Sequence, residues 1–145
     1  MKISLGSDHA GFRLRNALIA TLRTQGHELI DRGPTDETSV DYPDFAQAVA
    51  ADISSGAAQF GVLVCSTGIG ISIAANKVSG IRAALCTNED AAEFSRRHND
   101  ANVICFGQKY TTPEMAAKYL SIFLQTEFEG GRHSRRVGKL ECSSC

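Results

Sequence analysis

The segment best suited to chemistry is residues 65–70, with the sequence CSTGIG. It follows the apolar run 60–64 directly and precedes residues 71–76, ISIAAN, which can continue as a helix. This order places the Cys65 thiol where a strand ends and a helix begins, beside a glycine-rich turn. Unpaired backbone N–H groups at such a turn favour an anion, and they favour thiolate over thiol. Cys65 is therefore a candidate base or nucleophile near neutral pH.

Several common motifs are excluded by the residues around this turn. A dinucleotide-binding fingerprint requires a third glycine where Ile73 stands, and the Gly-Lys-Ser/Thr of a P-loop is absent. A phosphatase-type loop requires an arginine six residues after the cysteine, and that position is Ile71. What remains is an activated thiol, the Thr67 hydroxyl and a turn able to stabilise an oxyanion.

Three other segments carry groups that could act together with this turn: Asp8-His9, His98-Asn99 and the basic residues 130–136. Arg132 and Arg136 are four residues apart and share one helix face, and such a forked pair suits a phosphate. A thiolate base, an imidazole acid, an oxyanion turn and a phosphate clamp suit proton transfer beside a sugar carbonyl. That reaction requires no cofactor.

Composition and charge are those of an ordinary soluble globular protein. The chain has 145 residues, of which 43% are hydrophobic and 21% charged, so one domain over residues 1–145 is expected. A net charge of −1 gives no reason to expect nucleic-acid or membrane partners. There is no apolar stretch of membrane-spanning length and no signal-peptide pattern, which favours a cytoplasmic location.

Cysteine and histidine usage argues against disulfides and metals. Five cysteines are an odd number, and Cys65, Cys86 and Cys105 end apolar runs, which suits reduced thiols. Cys142 and Cys145 have CxxC spacing without the second pair of a zinc site, and residues from about 140 to 145 are expected to form a flexible tail. No metal site is expected, because the four histidines are scattered and none has ligand spacing with a carboxylate.

Short apolar runs alternate with amphipathic stretches along the chain. Strands are predicted at residues 3–6, 27–31, 60–65, 81–86 and 102–106. Helices are predicted from stripes with a four-residue step, such as Leu14, Leu18 and Leu22, and from the start signals Asn88 and Thr112. The alternation predicts an α/β fold, a three-layer α/β/α sandwich around a five-stranded, mostly parallel, Rossmann-like sheet.

Ligands of such folds gather at the carboxyl ends of the strands. Residues 7–9, 41–42, 65–70 and 87–88 are then expected to face one cleft. His98-Asn99 lies at the far end of a helix, which suggests that this pair is remote from the cleft of its own chain.

Five ordered motifs resemble the ribose-5-phosphate isomerase B family, which also includes allose-6-phosphate isomerases and galactose-6-phosphate isomerase subunits. The motifs are residues 6–12, 41–43, 65–77, 97–102 and 128–133, so the resemblance covers nearly the whole chain. It implies interconversion of D-ribose 5-phosphate and D-ribulose 5-phosphate in the non-oxidative pentose phosphate pathway. An isomerase of allose 6-phosphate or galactose 6-phosphate is the alternative, followed by a non-catalytic phosphosugar-binding subunit.

The resemblance also implies a role for each site residue. Cys65 would be the base that moves a proton between C2 and C1 through a cis-enediolate. His98, helped by Asp8 and Thr67, would be the acid that opens the furanose ring. The developing oxyanion would be held by the backbone of Ser66, Thr67, Gly68, Ile69 and Gly70. The phosphate would be held by His9, Lys109, Arg132 and Arg136, and the sugar hydroxyls by Asn99.

The family works as dimers whose active sites draw on both chains, which would account for the remoteness of His98-Asn99; a tetramer is the alternative assembly. Ser66 stands where many relatives carry glycine, which places a side chain close to the turn. Two other candidates have a simpler interpretation: Asp8 as a helix cap and Tyr42 as a ring packed at a loop. His133 stays undecided between site and surface.

Overall fold

The computed structural model of the protein describes residues 1–141, in which strands and helices alternate along the chain. The strands are β1 (Lys2–Ser7), β2 (Glu28–Asp31), β3 (Phe60–Cys65), β4 (Ala83–Leu85) and β5 (Val103–Gly107). The helices are α1 (Phe12–Thr24), α2 (Tyr42–Ser54), α3 (Ile69–Asn76), α4 (Glu89–Arg97), α5 (Pro113–Gln125) and α6 (Arg132–Gly138). The CxxC cysteines Cys142 and Cys145 lie outside the described residues. Within residues 1–141, no helix combines the length and the apolar character that crossing a membrane requires.

The five strands form one sheet in the order β2-β1-β3-β5-β4, and every neighbouring pair is parallel. The predicted α/β/α fold is confirmed, and the sheet is wholly rather than mostly parallel. β5 is buried along its whole length and β3 at all but its first residue, as their continuous apolar runs predict.

Helices cover both faces of the sheet. On one face, Leu14, Leu18 and Leu22 of α1 pack with residues of α4, α5 and the sheet in one buried cluster. On the other face, Val49 of α2 and Ile71 of α3 pack against the opposite sides of β3 and β5. Each buried aliphatic side chain contributes about 1.5–3 kcal/mol relative to exposure, so these stripes fix the layer to which each helix belongs.

The strand order places a crevice between β1 and β3. The chain leaves β1 toward β2 on one side, and β3 lies on the other side, so the crossovers diverge at the carboxyl ends of β1 and β3. The backbone N–H of Asp8 donates to the Val64 carbonyl at 3.1 Å, which brings the residue after β1 beside the end of β3.

Helix starts agree closely with the local signals. The Asn88 side chain accepts a hydrogen bond from the Ala91 N–H at 2.8 Å, and Thr112 accepts one from the Met115 N–H at 3.2 Å, so both are side-chain N-caps. β4 is shorter than predicted, because residue 82 leaves the ladder: the Arg82 N–H donates to the side chain of Asn102 at 2.9 Å.

An ion pair between the buried carboxylate of Asp52 and the partly exposed Arg32 joins α2 to the sheet and predicts a loss of stability on mutation. Asp52 is 4% exposed and accepts hydrogen bonds from Ser4 Oγ at 2.7 Å and Arg32 Nε at 2.8 Å. The Arg32 hydrogen bond, opposed by burial, lowers the pKa of Asp52. A lowered carboxyl pKa stabilises the fold above the unfolded value of about 4, and this stabilisation is lost as pH falls through the folded value.

Asp52→Asn is therefore expected to lower the free energy of unfolding by about 2 kcal/mol at pH 7, and by less at pH 3. Urea unfolding at both pH values measures this difference. Glu37→Gln is the control, because it removes the partner of Arg13, a guanidinium that lies on the surface, and a surface pair contributes about 0–1 kcal/mol. Equal losses for the two variants at pH 7 would contradict the role given to Asp52.

Candidate active site

The turn after β3 gathers backbone donors around a thiol. Cys65 is the last residue of β3 and is 4% exposed, and its Sγ accepts a hydrogen bond from the Gly68 N–H at 3.1 Å. The Ile69 N–H donates to Thr67 Oγ1 at 3.3 Å. The N–H groups of Gly70 and Ile71 have no acceptor within residues 1–141, so these two donors at the start of α3 are available to an anion.

Close packing around Gly68 fixes the shape of this turn. Gly68 has φ of +77°, and a Cβ built there would lie 2.5 Å from Leu85 Cδ1 and 2.8 Å from the Phe106 carbonyl carbon. The loop after β5 holds the turn from the other side. The Gln108 N–H donates to the Cys65 carbonyl at 2.9 Å, and the Lys109 N–H donates to the Ser66 carbonyl at 3.0 Å. Lys109 therefore lies beside the thiol turn.

Gly68→Ala is expected to destabilise the protein by about 3 kcal/mol or more, because the left-handed conformation and the clash with β5 backbone act together. Thermal unfolding measures the loss. Gly26→Ala is the matched control: Gly26 has φ of +80° with nothing within 4 Å of an added Cβ, so it bears only the conformational cost, about 1 kcal/mol. Similar losses for the two variants would show that packing around Gly68 is unimportant.

Asp8 and His9 lie next to this turn, where β1 ends. Asp8 Oδ1 accepts the Gly11 N–H at 3.0 Å, and its second carboxylate oxygen has no donor within residues 1–141. The interpretation of Asp8 as the cap of α1 is wrong, because the helix begins at Phe12 with Gly11 as its N-cap, and Asp8 fixes the turn that precedes it. His9 Nδ1 accepts the Val40 N–H at 3.2 Å. In the neutral ring the proton is then on Nε2, which can donate to a phosphate.

Tyr42 completes the group at the carboxyl edge of the sheet. It begins α2, with Asp41 as the N-cap and Pro43 in the first turn, so Tyr42 lies on the helix and not in the loop before it. Its ring lies against Gly70, where an added Cβ would be 2.6 Å from Tyr42 Cζ. Both interpretations of Tyr42 fit, since the ring packs at the turn and remains partly exposed. The predicted site residues at this edge are Asp8, His9, Tyr42, Cys65, Ser66, Thr67, Gly68, Ile69, Gly70 and Lys109.

The remaining predicted site residues lie at the opposite, amino edge of the sheet. His98 ends α4 and Asn99 follows it, and the chain then enters β5 at its amino end. Arg132 and Arg136 lie on α6, and His133 between them stacks on His98 with ring centroids 4.2 Å apart. Within one chain, the thiol turn therefore lies at the opposite edge of the sheet from His98, Asn99 and the two arginines, as the topology predicts.

The His98 cluster was not predicted. His133 is 4% exposed, Glu129 approaches both histidines, and the possible ligand atoms of the three residues lie within 4.8 Å of one another. The expectation that the histidines are scattered is therefore wrong for this pair. The four-residue spacing of Glu129 and His133 was the available signal, although Glu129 lies before α6 and the contact is made through the turn at Gly130 and Gly131.

This cluster fits a hydrogen-bonded group better than a metal site. The rings of His98 and His133 are nearly parallel, at 11°, and an imidazole lone pair lies in its ring plane, so the two nitrogens do not converge on one ion. Burial lowers the pKa of His133, and the nearby charge of His98 lowers it further. The absence of a metal remains a prediction.

The other two cysteines of residues 1–141 are buried in the core. Burial raises the pKa of Cys86 to about 11 and raises that of Cys105 as well. Both therefore stay protonated near neutral pH, as their interpretation as core thiols predicts. Cys65 differs from them because its Sγ receives a backbone N–H at the beginning of a helix.

Comparisons with known proteins give one consistent result. The sequence pattern of the ribose/galactose isomerase family matches residues 3–140. Ribose-5-phosphate isomerase B of Escherichia coli is 44% identical over 136 residues, covering 94% of this chain and 91% of that protein.

Solved structures agree with the sequence matches. Ribose-5-phosphate isomerase B of Clostridium thermocellum superposes with a TM-score of 0.95 at 48% identity, covering 97% of this chain and 95% of that one. The enzyme of Mycoplasma genitalium with bound ribulose-5-phosphate superposes with a TM-score of 0.92 at 39% identity, covering 96% and 93%.

Proposed function

We propose the function from one premise: this chain belongs to the ribose/galactose isomerase family. It is an aldose–ketose isomerase that interconverts D-ribose 5-phosphate and D-ribulose 5-phosphate, a reaction of the non-oxidative pentose phosphate pathway. The observation that carries this assignment is the Cys65 thiol on the turn before α3, with the free N–H groups of Gly70 and Ile71 beside it.

We infer that Cys65 is the base for the carbon-bound proton. The thiolate takes the proton from C2 of the open-chain aldose, and the electron pair of that bond forms the C1–C2 double bond of a cis-enediolate. The negative charge develops on the former carbonyl oxygen, where the N–H groups of Gly70 and Ile71 can stabilise it. Return of the proton from Cys65 to C1, with a proton shift from O2 to O1, gives the ketose.

Ring opening requires an acid and a base before the isomerisation. In this proposal His98 protonates the ring oxygen, and the free carboxylate oxygen of Asp8, with the Thr67 hydroxyl, receives the proton of the C1 hydroxyl. Asp8 and Thr67 lie at the carboxyl edge of the sheet, whereas His98 lies at the amino edge. The two halves of this step therefore have to come from different chains.

We propose that the active unit is a homodimer in which the carboxyl edge of one chain faces the amino edge of its partner. His9 and Lys109 of one chain and Arg132 and Arg136 of the other would then converge on the phosphate, and Asn99 on the sugar hydroxyls. An exposed apolar stripe beside the turn supports this arrangement. Ile69 and Ile73 of α3 are 52% and 54% exposed. Neighbouring apolar side chains that are exposed in one chain are typical of a surface that a second chain covers.

A single isomerase domain and a cytoplasmic location complete the proposal. The thiols of Cys65, Cys86 and Cys105 are all free, which suits a reducing compartment.

Turnover of the purified protein on D-ribose 5-phosphate and D-allose 6-phosphate, measured side by side, tests the assignment. We expect the pentose phosphate to have the higher kcat/KM by at least about tenfold, because one extra carbon changes the distance between the phosphate and the thiol. Higher turnover of allose 6-phosphate would reassign the enzyme to hexose phosphates. Binding of both sugars without any exchange of the C2 proton would identify a non-catalytic subunit.

A further inference from the structure

The His98 ring is held by two aromatic neighbours. The ring of His133 stacks on it at 4.2 Å and 11°, and the ring of Phe94 contacts it at 4.8 Å and 39°. The His98 side chain nevertheless remains 36% exposed. Its plane is thus restricted while one part of the ring stays accessible.

Glu129 is fixed beside both histidines. Its carboxylate lies 3.9 Å from His98 Nε2 and 3.7 Å from His133 Nε2. Arg97 Nη2 donates to this carboxylate at 3.0 Å, and the backbone carbonyl of Arg97 accepts the Glu129 N–H, also at 3.0 Å. The Arg97 hydrogen bond lowers the pKa of Glu129, so the carboxylate is ionised near neutral pH.

His133 is the unusual member of the group. It is 4% exposed, and its Nε2 is buried without a hydrogen-bond partner within residues 1–141. A buried polar atom without a partner costs about 1–3 kcal/mol, so an apolar ring would fill the position more stably. The Glu129 carboxylate lies 3.7 Å from this nitrogen, and a shift of about half an ångström would complete a hydrogen bond between them.

We propose that His133 and Glu129 are positioning residues for the His98 acid: His133 fixes the plane of the ring by stacking, and Glu129 holds its Nε2 side. The inference rests on the proposed function, in which His98 opens the sugar ring. The charged groups around the pair are Arg97, Glu129, Arg132 and Arg136. Of these, Glu129 is the acid that approaches both imidazoles.

The test separates ring opening from proton transfer. Conversion of D-ribose 5-phosphate to D-ribulose 5-phosphate requires both steps. Exchange of solvent deuterium into C1 of D-ribulose 5-phosphate, which is open-chain, requires only the thiol and the enediolate. Both rates are measured by NMR for the parent protein and for His133→Ala, His133→Phe and Glu129→Gln, with His98→Asn as the reference for a lost acid.

We expect His133→Ala and Glu129→Gln to lower kcat for ribose 5-phosphate about tenfold, with KM and deuterium exchange within about twofold of the parent protein. His133→Phe keeps a flat ring in the stack and is expected to recover most of the loss. Glu93→Gln is the matched control, because Glu93 binds the same Arg97 without approaching the histidines, and it is expected to leave both rates unchanged.

Three outcomes would overturn the inference. One is unchanged kcat in His133→Ala and Glu129→Gln when His98→Asn is impaired. Another is a lower kcat together with a higher KM and slower deuterium exchange, which would assign His133 to phosphate binding or to stability. The third is an impaired His133→Phe whose thermal unfolding is unchanged. If the parent protein itself exchanges no deuterium, the proposed function fails, and this result is distinct from the other three.

Discussion

Cys65→Ala is expected to lower isomerisation of D-ribose 5-phosphate by about 10²–10⁴-fold, the range typical of a lost general base. The thiol lies on a turn where the Gly68 N–H donates to the sulfur, and the N–H groups of Gly70 and Ile71 have no acceptor within residues 1–141. Alanine removes the base and leaves those donors in place. Deuterium exchange into D-ribulose 5-phosphate is expected to fall equally, because it uses the same proton transfer.

A binding measurement distinguishes the loss of the catalytic base from the loss of the whole binding site. Alanine keeps the backbone of the turn and all predicted phosphate ligands, so the affinity for D-ribose 5-phosphate by calorimetry is expected to stay within about threefold. Cys86→Ala is the matched control, because its thiol lies in the core and stays protonated, and full activity is expected of it. Near-native turnover by Cys65→Ala would exclude Cys65 as the base.

The turn around Cys65 could be predicted from the sequence because its signals are local. Three signals lie within residues 60–76: an apolar run too continuous for a half-exposed strand, a pair of glycines, and a helical stretch that follows them. The structure adds the reason for Gly68, which is a close approach to Phe106 and Leu85. That contact depends on which strands are neighbours, and the order β3-β5-β4 is not encoded in any one segment.

The cluster of Glu129 with His133 shows the opposite case. Its members belong to α6 and the segment before it, and their contact with His98 depends on how α6 docks on the end of α4. Long-range packing of this kind leaves only a weak trace in sequence, here the four-residue spacing of an acid and a histidine. The sequence alone therefore leaves His133 undecided between site and surface.

The division of the site between two edges of the sheet leads to the second large effect. Cys65→Ala and His98→Asn chains are each expected to be nearly inactive in converting ribose 5-phosphate. In a dimer with shared sites, a mixed pair contains one complete site, with Cys65 from the His98→Asn chain and His98 from the Cys65→Ala chain. Random pairing after joint refolding at equal amounts gives half mixed dimers, so about a quarter of parent activity is expected.

Two features make this mixing experiment decisive for the shared site. If each site lay within one chain, every site in the mixture would lack a catalytic group, and activity would stay at the mean of the two inactive proteins. The control is a mixture of Cys65→Ala with Cys65→Ala/His98→Asn, in which no pairing can restore Cys65. Recovery in the first mixture alone would require Cys65 and His98 to act across the interface between chains, because His98 ends α4 at the edge of the sheet opposite the thiol turn.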